Sequence, residues 1–266
     1  MTLSPVCRTL SLAALSTRLR TVVAAALLVA TPAVASPQQV DARDVVERVD
    51  RLLRGASSRA SVSMQITTRQ WSRSLDMTIW SKGNDYALVR VTAPAREAGT
   101  ATLKVKNDIW NYLPRVDRTI RIPPSLMAGA WMGSHFTNDD LVKESRLVDD
   151  YDIALGFAGA RDGTEVWEFT LTPKPGVAVV WGKIVMQVRQ ADLMPQFERY
   201  HDDVGTLVRT VSFSDFKVMG GRKVPAMLTV TPADKPDEST TLVYHELEFD
   251  VGLQPSFFSL QNLKRR

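Results

Sequence analysis

The run Ser61-Val62-Ser63-Met64-Gln65-Ile66-Thr67, followed by Ser74-Leu75-Asp76-Met77-Thr78-Ile79, decides the fold. Polar and apolar residues alternate in both, the period of a strand with one wet face and one dry face. Ile184, Met186 and Val188, spaced by Val185 and Gln187, repeat the pattern far downstream. Working outward, strands are expected over 86–92, 101–106, 109–113, 118–122, 165–172, 183–190, 196–201, 207–216, 226–231 and 240–249. The turns Lys82-Gly83-Asn84-Asp85 and Gly220-Gly221-Arg222 join neighbours tightly, as hairpins require. About a dozen consecutive strands with short turns predict one antiparallel sheet with an apolar and a polar face. No internal repeat or linker divides it, so one domain is expected.

Two segments leave this pattern. Asp41 to Arg54 places Val45, Val46, Val49, Leu52 and Leu53 at helical spacing, with Asp41 to cap and Gly55 to stop the helix. Pro123-Pro124 ends a strand and opens an apolar insert, Ser125 to Ser134, rich in Met and Gly. Phe136-Thr137-Asn138-Asp139-Asp140-Leu141 follows, with Thr137 or Asn138 placed to cap a short helix. The fold class expected is therefore mainly β: a strongly curved antiparallel sheet, or half-barrel, covered by an N-terminal helix and a central helical insert. An apolar sheet face must be buried. Two helical lids over a curled sheet would leave a concave apolar cavity suited to a ligand.

The 266 residues carry 33 basic and 29 acidic side chains, a formal charge of +4. Much of that basicity sits at the start. Arg8, Arg18 and Arg20 precede the apolar run Thr21 to Thr31 and the small-residue site Ala33-Val34-Ala35. A basic start, a short apolar stretch and an A-x-A end predict a secretory signal peptide over residues 1–35, cleaved after Ala35. Residues 36–266 would then carry 30 basic and 29 acidic residues. A near-neutral domain lacks the general basic footprint of a nucleic-acid binder. Cys7, the one cysteine, would leave with the leader, so neither disulfides nor thiol chemistry is expected. No apolar run reaches the roughly 20 residues of a membrane span.

Catalytic signals are weak. His135, His201 and His245 are scattered without metal-ligand spacing, and no nucleophile elbow, phosphate-binding loop or dinucleotide fingerprint is found. Asp139-Asp140, Asp149-Asp150 and Asp202-Asp203 are poor acid/base pairs if on strands, where neighbours face opposite ways. The first reads as helix-start charge, whose loss would cost under about 1 kcal/mol, and the others as turns. No enzyme activity, cofactor or metal is expected. The aromatic and Met residues of the insert are more informative, because adaptable apolar side chains suit a surface that accepts varied partners.

Trp110-Asn111-Tyr112-Leu113-Pro114, Arg118, Arg121-Ile122-Pro123-Pro124, Trp131-Met132-Gly133-Ser134 and Phe136 to Leu141 occur in an order that resembles the longer branch of the outer-membrane lipoprotein-sorting proteins (LolA/LolB-like). The ending Leu253 to Leu263, with Phe257-Phe258-Ser259, is similar too. The resemblance implies a half-closed barrel over residues 36–266 and a periplasmic, non-catalytic carrier of a lipid or acylated lipoprotein. It implies an inner-membrane transporter of the ABC or efflux type as donor, an outer-membrane acceptor, and no nucleic acid; a monomer is expected. The candidate ligand-binding residues are Met64, Ile66, Met77 and Ile79 on the sheet, Trp110 and Tyr112, and Leu126, Met127, Trp131, Met132 and Phe136 of the insert. A buried acyl chain is worth about 0.8 kcal/mol per methylene, so some 14 methylenes bring on the order of 11 kcal/mol. Extraction from a bilayer therefore calls for an energised partner. The alternative is a lipid- or peptide-sensing regulatory domain of the same fold that acts through a protein partner.

Overall fold

A computed structural model describes residues 40–53, 55–143 and 147–265. The expected leader over residues 1–35 lies outside the described residues. Thirteen antiparallel strands form one sheet. They are β1 (Ser57–Thr67), β2 (Ser72–Lys82), β3 (Tyr86–Ala93), β4 (Ala101–Val105), β5 (Asp108–Leu113), β6 (Arg118–Ile122), β7 (Tyr151–Arg161), β8 (Thr164–Pro173), β9 (Lys183–Arg189), β10 (Pro195–His201), β11 (Leu207–Met219), β12 (Arg222–Pro232) and β13 (Ser239–Phe249). The helices are α1 (Ala42–Asp50), α2 (Asp140–Lys143), α3 (Leu147–Asp150) and α4 (Leu260–Leu263).

The spatial order is β6-β5-β4-β3-β2-β1-β13-β12-β11-β10-β9-β8-β7. Each half is a meander, and the pairing of β1 with β13 fuses them. Consequently β6 and β7, consecutive in sequence, are the two opposite edges of the sheet. The chain from β6 to β7 must therefore travel from one edge to the other. The sheet is curled: one cavity touches both Lys104 on β4 and Met186 on β9. These strands stand eight steps apart, which would be ~38 Å in a flat sheet at about 4.8 Å per step.

Alternation assigns the faces. Met64 lies opposite Leu75 on β2 and Leu242 on β13, and Val62 opposite Met77. Met64, Leu75 and Met77, with Val89, Val91, Val211, Val230, Met186, Phe169 and Leu171, belong to one buried cluster on the concave side, and Leu242 packs against it; Val62 belongs to a second buried cluster with Ala60, Val224 and Leu247. Ser63, Gln65 and Asp76 point the other way, where Ser63 Oγ donates to Asp76 at 2.6 Å. At the β11–β12 hairpin, Gly220 and Gly221 both have positive φ (54° and 79°), as a two-residue turn demands. A Cβ on Gly220 would come within 2.7 Å of the Leu247 carbonyl oxygen, so no other residue fits.

The polar face is not wet throughout. Over β3–β5 it is covered by the C-terminal segment. Phe258 and Leu263 bury themselves against Leu88, Leu103 and Tyr112, and Phe257 and Trp110 join at the margin. This corrects the sequence expectation for two residues. Trp110 and Tyr112 sit opposite Leu103 and Ala101, on the convex face, and do not line the concavity.

The sequence reading omits β7. Its alternation Tyr151, Ile153, Leu155 is broken at Gly156, where the register with β8 slips so that Leu155 faces Phe169 and Phe157 faces Glu168. A bulge moves every later side chain to the other face, which hides the period of two.

Candidate functional site: a covered concave face

Two elements cover the concavity. Helix α1 begins at Asp41, whose carboxylate accepts from the amides of Arg43 (3.0 Å) and Asp44 (3.1 Å), satisfying two of the helix's orphan donors. Val45, Val46 and Val49 face inward and join the concave cluster, while Arg48 and Asp44 pair on the wet side at 2.7 Å. The second cover is the crossing from β6 to β7, described over residues 123–143 and 147–150.

That crossing differs from the helical lid expected. Short 3₁₀ turns at Pro124–Leu126 and Trp131–Gly133 stand in the apolar insert, Ala130 bridges Thr137 as an isolated antiparallel pair, and the short helix is α2, whose Asp140 amide donates to Thr137 Oγ1 at 3.2 Å. Gly129 and Gly133 dilute helix propensity, and Met132 itself turns back with φ 52°. Leu126 is 53% exposed and points away from the cavity, a second correction; Met127 is half-buried.

Trp131 and Phe136 descend into the concavity, 3% and 5% exposed, in the same cluster as Met64, Ile66 and Met77; Met132 packs at its margin. Trp131 Nε1 donates to Thr102 Oγ1 on β4 at 3.0 Å. Other polar contacts fasten the crossing to the sheet. Arg73 on β2 donates to the Met132 carbonyl at 3.1 Å, and the His135 amide donates to Thr240 Oγ1 on β13 at 3.0 Å.

The strongest fastening is Asp140 with Arg209 on β11. Both side chains are almost fully buried, and the carboxylate takes two parallel hydrogen bonds of 2.6 Å from the guanidinium. Arg209 also lies over the rings of Trp181 (4.5 Å) and Tyr200 (4.4 Å) and donates to the His135 carbonyl at 3.2 Å. Asp140 additionally accepts from the Thr137 amide at 2.7 Å. The aspartate is thus more than helix-start charge: it ties the cover to the sheet. Sequence gave no sign of this, because the two partners are 69 residues apart.

Beneath α1 and the crossing remains a cavity of about 190 Å³. Its wall is largely apolar, with Ile79, Phe136, Leu147, Met186, Leu228 and Leu242 among the lining residues, and Glu198 and Lys104 among the polar ones. Lys104 Nζ donates to the Asn84 carbonyl at 2.6 Å. Glu198, on β10, bonds the Tyr200 hydroxyl at 2.5 Å; burial pushes its carboxyl up to about 7. Burial, with Asp139, Asp150 and Asp140 nearby, likewise pushes the Tyr151 hydroxyl upward. Of the sheet candidates, Ile79 lines the cavity directly, whereas Met64, Ile66 and Met77 are fully packed within the adjoining core. Among the described residues, no group of three or more His, Cys, Asp or Glu side chains is placed to hold a metal, and no helix is long and apolar enough to cross a membrane.

A family model described as "Uncharacterized protein" matches residues 83–265. The chain belongs to that family. Solved structures link this family to the resemblance read from the sequence. A DUF1329 family protein from Desulfovibrio piger is 25% identical, with TM-score 0.76, over 84% of this chain and 97% of that one. A putative outer membrane lipoprotein-sorting protein domain from Vibrio parahaemolyticus is 24% identical, with TM-score 0.74, over 84% and 98%. A LolA superfamily protein from Nitrosomonas europaea is 22% identical, with TM-score 0.72, over 84% and 99%. The family member described here therefore has the LolA-like fold. No curated protein matches the chain.

Proposed function

We propose that this protein is a periplasmic carrier that takes up the acyl chains of a lipid or lipoprotein on the concave face of its sheet and conveys them toward the outer membrane. The observation that carries the reading is the covered apolar cavity, about 190 Å³, under a crossing segment that contributes Trp131 and Phe136 to the same buried cluster as the sheet. That volume is below the roughly 300–1,000 Å³ of sites that engulf a drug-sized ligand. An acyl cargo then enters only by lifting the cover. Trp131, Met132 and Phe136 and the incoming chain compete for one apolar surface, and each large side chain displaced from it is worth about 1.5–3 kcal/mol. Release is favoured by the same competition, since the cover closes again when cargo leaves. The names of the structural neighbours support cargo of the lipoprotein class. An energised inner-membrane transporter as donor and an outer-membrane acceptor complete the route, because burial on the order of 11 kcal/mol per acyl chain makes unaided extraction from a bilayer slow.

The test is mass spectrometry of organic extracts from protein purified out of the periplasm, followed by transfer of the labelled extract to acceptor vesicles. Co-purified lipid that moves to vesicles is expected. Retained lipid that never transfers would favour the sensing role instead, and protein free of lipid in every preparation would defeat both.

A further inference from the structure

The two edges of the sheet are built differently. β6 is short, five residues, and carries Arg118 and Arg121, the charged edge that discourages strand addition. β7 is eleven residues long and runs Ile153-Ala154-Leu155-Gly156-Phe157-Ala158-Gly159-Ala160 without a charge or a proline. Among the described residues its outer side has no strand partner. Leu155 is 42% exposed. Such an edge offers a row of free backbone donors and acceptors to another strand.

The sequence of β7 identifies the strand it fits. Its charges stand at the two ends, Asp152 and Arg161. An antiparallel copy of the same strand, centred between Gly156 and Phe157, brings Asp152 opposite Arg161, Ile153 opposite Ala160, Ala154 opposite Gly159 and Leu155 opposite Ala158. The bulge makes these matches face-consistent. Before it, Ile153 and Leu155 lie opposite Leu171 and Phe169, on the concave side; after it, Ala158 lies opposite Trp167, again concave. Asp152 and Arg161 both fall on the convex side, where Arg161 sits 3.7 Å over the Phe157 ring and near Glu168. Without the bulge, that pairing would oppose residues from different faces. The tip of the Phe157 ring lies against Gly159, where a Cβ would come within 3.3 Å of it, so the ring runs along the strand.

We propose that β7 is a self-association edge: two copies of this chain pair antiparallel along Asp152–Arg161 about a two-fold axis perpendicular to the sheet, with Asp152 of each opposite Arg161 of the other. The interface is isologous, so the charge contact occurs twice. Both concave faces open to the same side of the joined sheet. This goes beyond the carrier reading and does not rest on it.

Sedimentation velocity on the purified protein, from low micromolar to millimolar, tests it with charge exchanges. The wild-type protein is expected to dimerise with concentration. Asp152→Arg and Arg161→Asp alone each place like charges in register twice and should weaken the dimer about tenfold or more. The first variant carries two arginines on its edge and the second two aspartates. An equimolar mixture of the two should therefore recover the dimer, as should the double exchange within one chain. Recovery on mixing also shows that both variants are folded. A wild-type protein that stays monomeric throughout, or a dimer indifferent to both single exchanges, overturns the proposal.

Discussion

The sheet is covered on both faces, and the two covers are held by different physics. On the convex side, the C-terminal segment packs aromatic against aromatic. Phe258 lies 5.4 Å from Tyr86 and 5.2 Å from Phe257, which is 5.8 Å from Trp80, and Leu263 is fully buried. On the concave side, the crossing segment buries Trp131 and Phe136 but leaves a cavity, and its grip comes from discrete polar contacts to β2, β4, β11 and β13. Apolar contact is non-directional and spread over many atom pairs, so it can be lost piecemeal and re-made in shifted arrangements. The two parallel hydrogen bonds of a bidentate ion pair are directional and exist in one geometry, so they are either made or lost. A cover fastened in this second way has a defined shut state and a defined open one, which suits a surface that must be vacated for a ligand. The first kind belongs to permanent structure.

The largest effect should come from the ion pair. Asp140→Asn leaves the Arg209 guanidinium buried without its counter-charge and is expected to cost about 3–5 kcal/mol in urea unfolding. That is far above the sub-kilocalorie loss expected for a charge at a helix start. Replacing both partners with apolar residues of similar volume should restore most of the stability. If Asp140→Asn unfolds at the wild-type midpoint, the pair does not fasten the cover. On the opposite face, Phe258→Ala should cost about 3–4 kcal/mol through lost burial and a residual void. Lipid bound per folded molecule should stay unchanged, since the convex strap is separate from the cavity. A parallel loss of lipid binding would remove the distinction between the two covers.

Glu198 gives a smaller, pH-dependent contrast. Its folded carboxyl titrates near 7, against an ordinary value of 4.5, because burial disfavours the charge. The folded protein therefore binds a proton more tightly than the unfolded chain between those values. Stability from this group is greatest below about pH 4.5, falls as the pH rises to 7, and is flat above. Glu198→Gln should abolish that slope. It should leave the protein about as stable as wild type at pH 4 and more stable at pH 8, by on the order of 2–3 kcal/mol. Thermal melts at the two pH values measure this, and an equal shift at both would contradict the buried-acid account.

The halves of the molecule also differ in how far they could be read from sequence. Strands such as β1, β2 and β9 announce themselves because polar and apolar residues alternate along them, a local property. The helix at Asp41 is equally local, down to the capping carboxylate. β7 was hidden by one bulge, and losing it concealed the topology: with β6 and β7 as opposite edges, a segment crossing the concavity becomes a necessity of connection. The insert's place is legible from its composition, but its form is not, since glycines and a positive φ at Met132 make turns where a helical lid is expected. Trp110 and Tyr112 carried the right chemistry on the wrong face. Both faces of β5 are dry, so an aromatic residue there does not reveal which side it serves. The Asp140–Arg209 pair has no local signature at all.

The gentlest perturbation separates fastening from packing at Trp131. Thr102→Val removes the hydroxyl that accepts from the indole Nε1 and donates to Asn111 Oδ1 on β5 at 2.7 Å, while keeping nearly the same shape beneath the ring. An unpaired buried donor costs about 1–3 kcal/mol, and the indole can recover part of that by tilting toward solvent as the cover loosens. A net loss of about 1 kcal/mol is therefore expected. The consequence for ligand should have the opposite sign. In the wild-type protein a long-chain lipid must displace Trp131 against both its apolar burial and its hydrogen bond. In Thr102→Val it displaces Trp131 against burial alone. Trp131 fluorescence, followed during stopped-flow mixing with a long-chain lipid and with the other tryptophans as a constant background, should therefore change faster and saturate at lower lipid concentration in the variant. Trp131→Ala supplies the control: it should cost about 3–5 kcal/mol and remove the signal. A variant Thr102→Val that is less stable but binds lipid at the wild-type rate and affinity would mean that Trp131 stays down when lipid binds, and that the crossing segment is core rather than a cover.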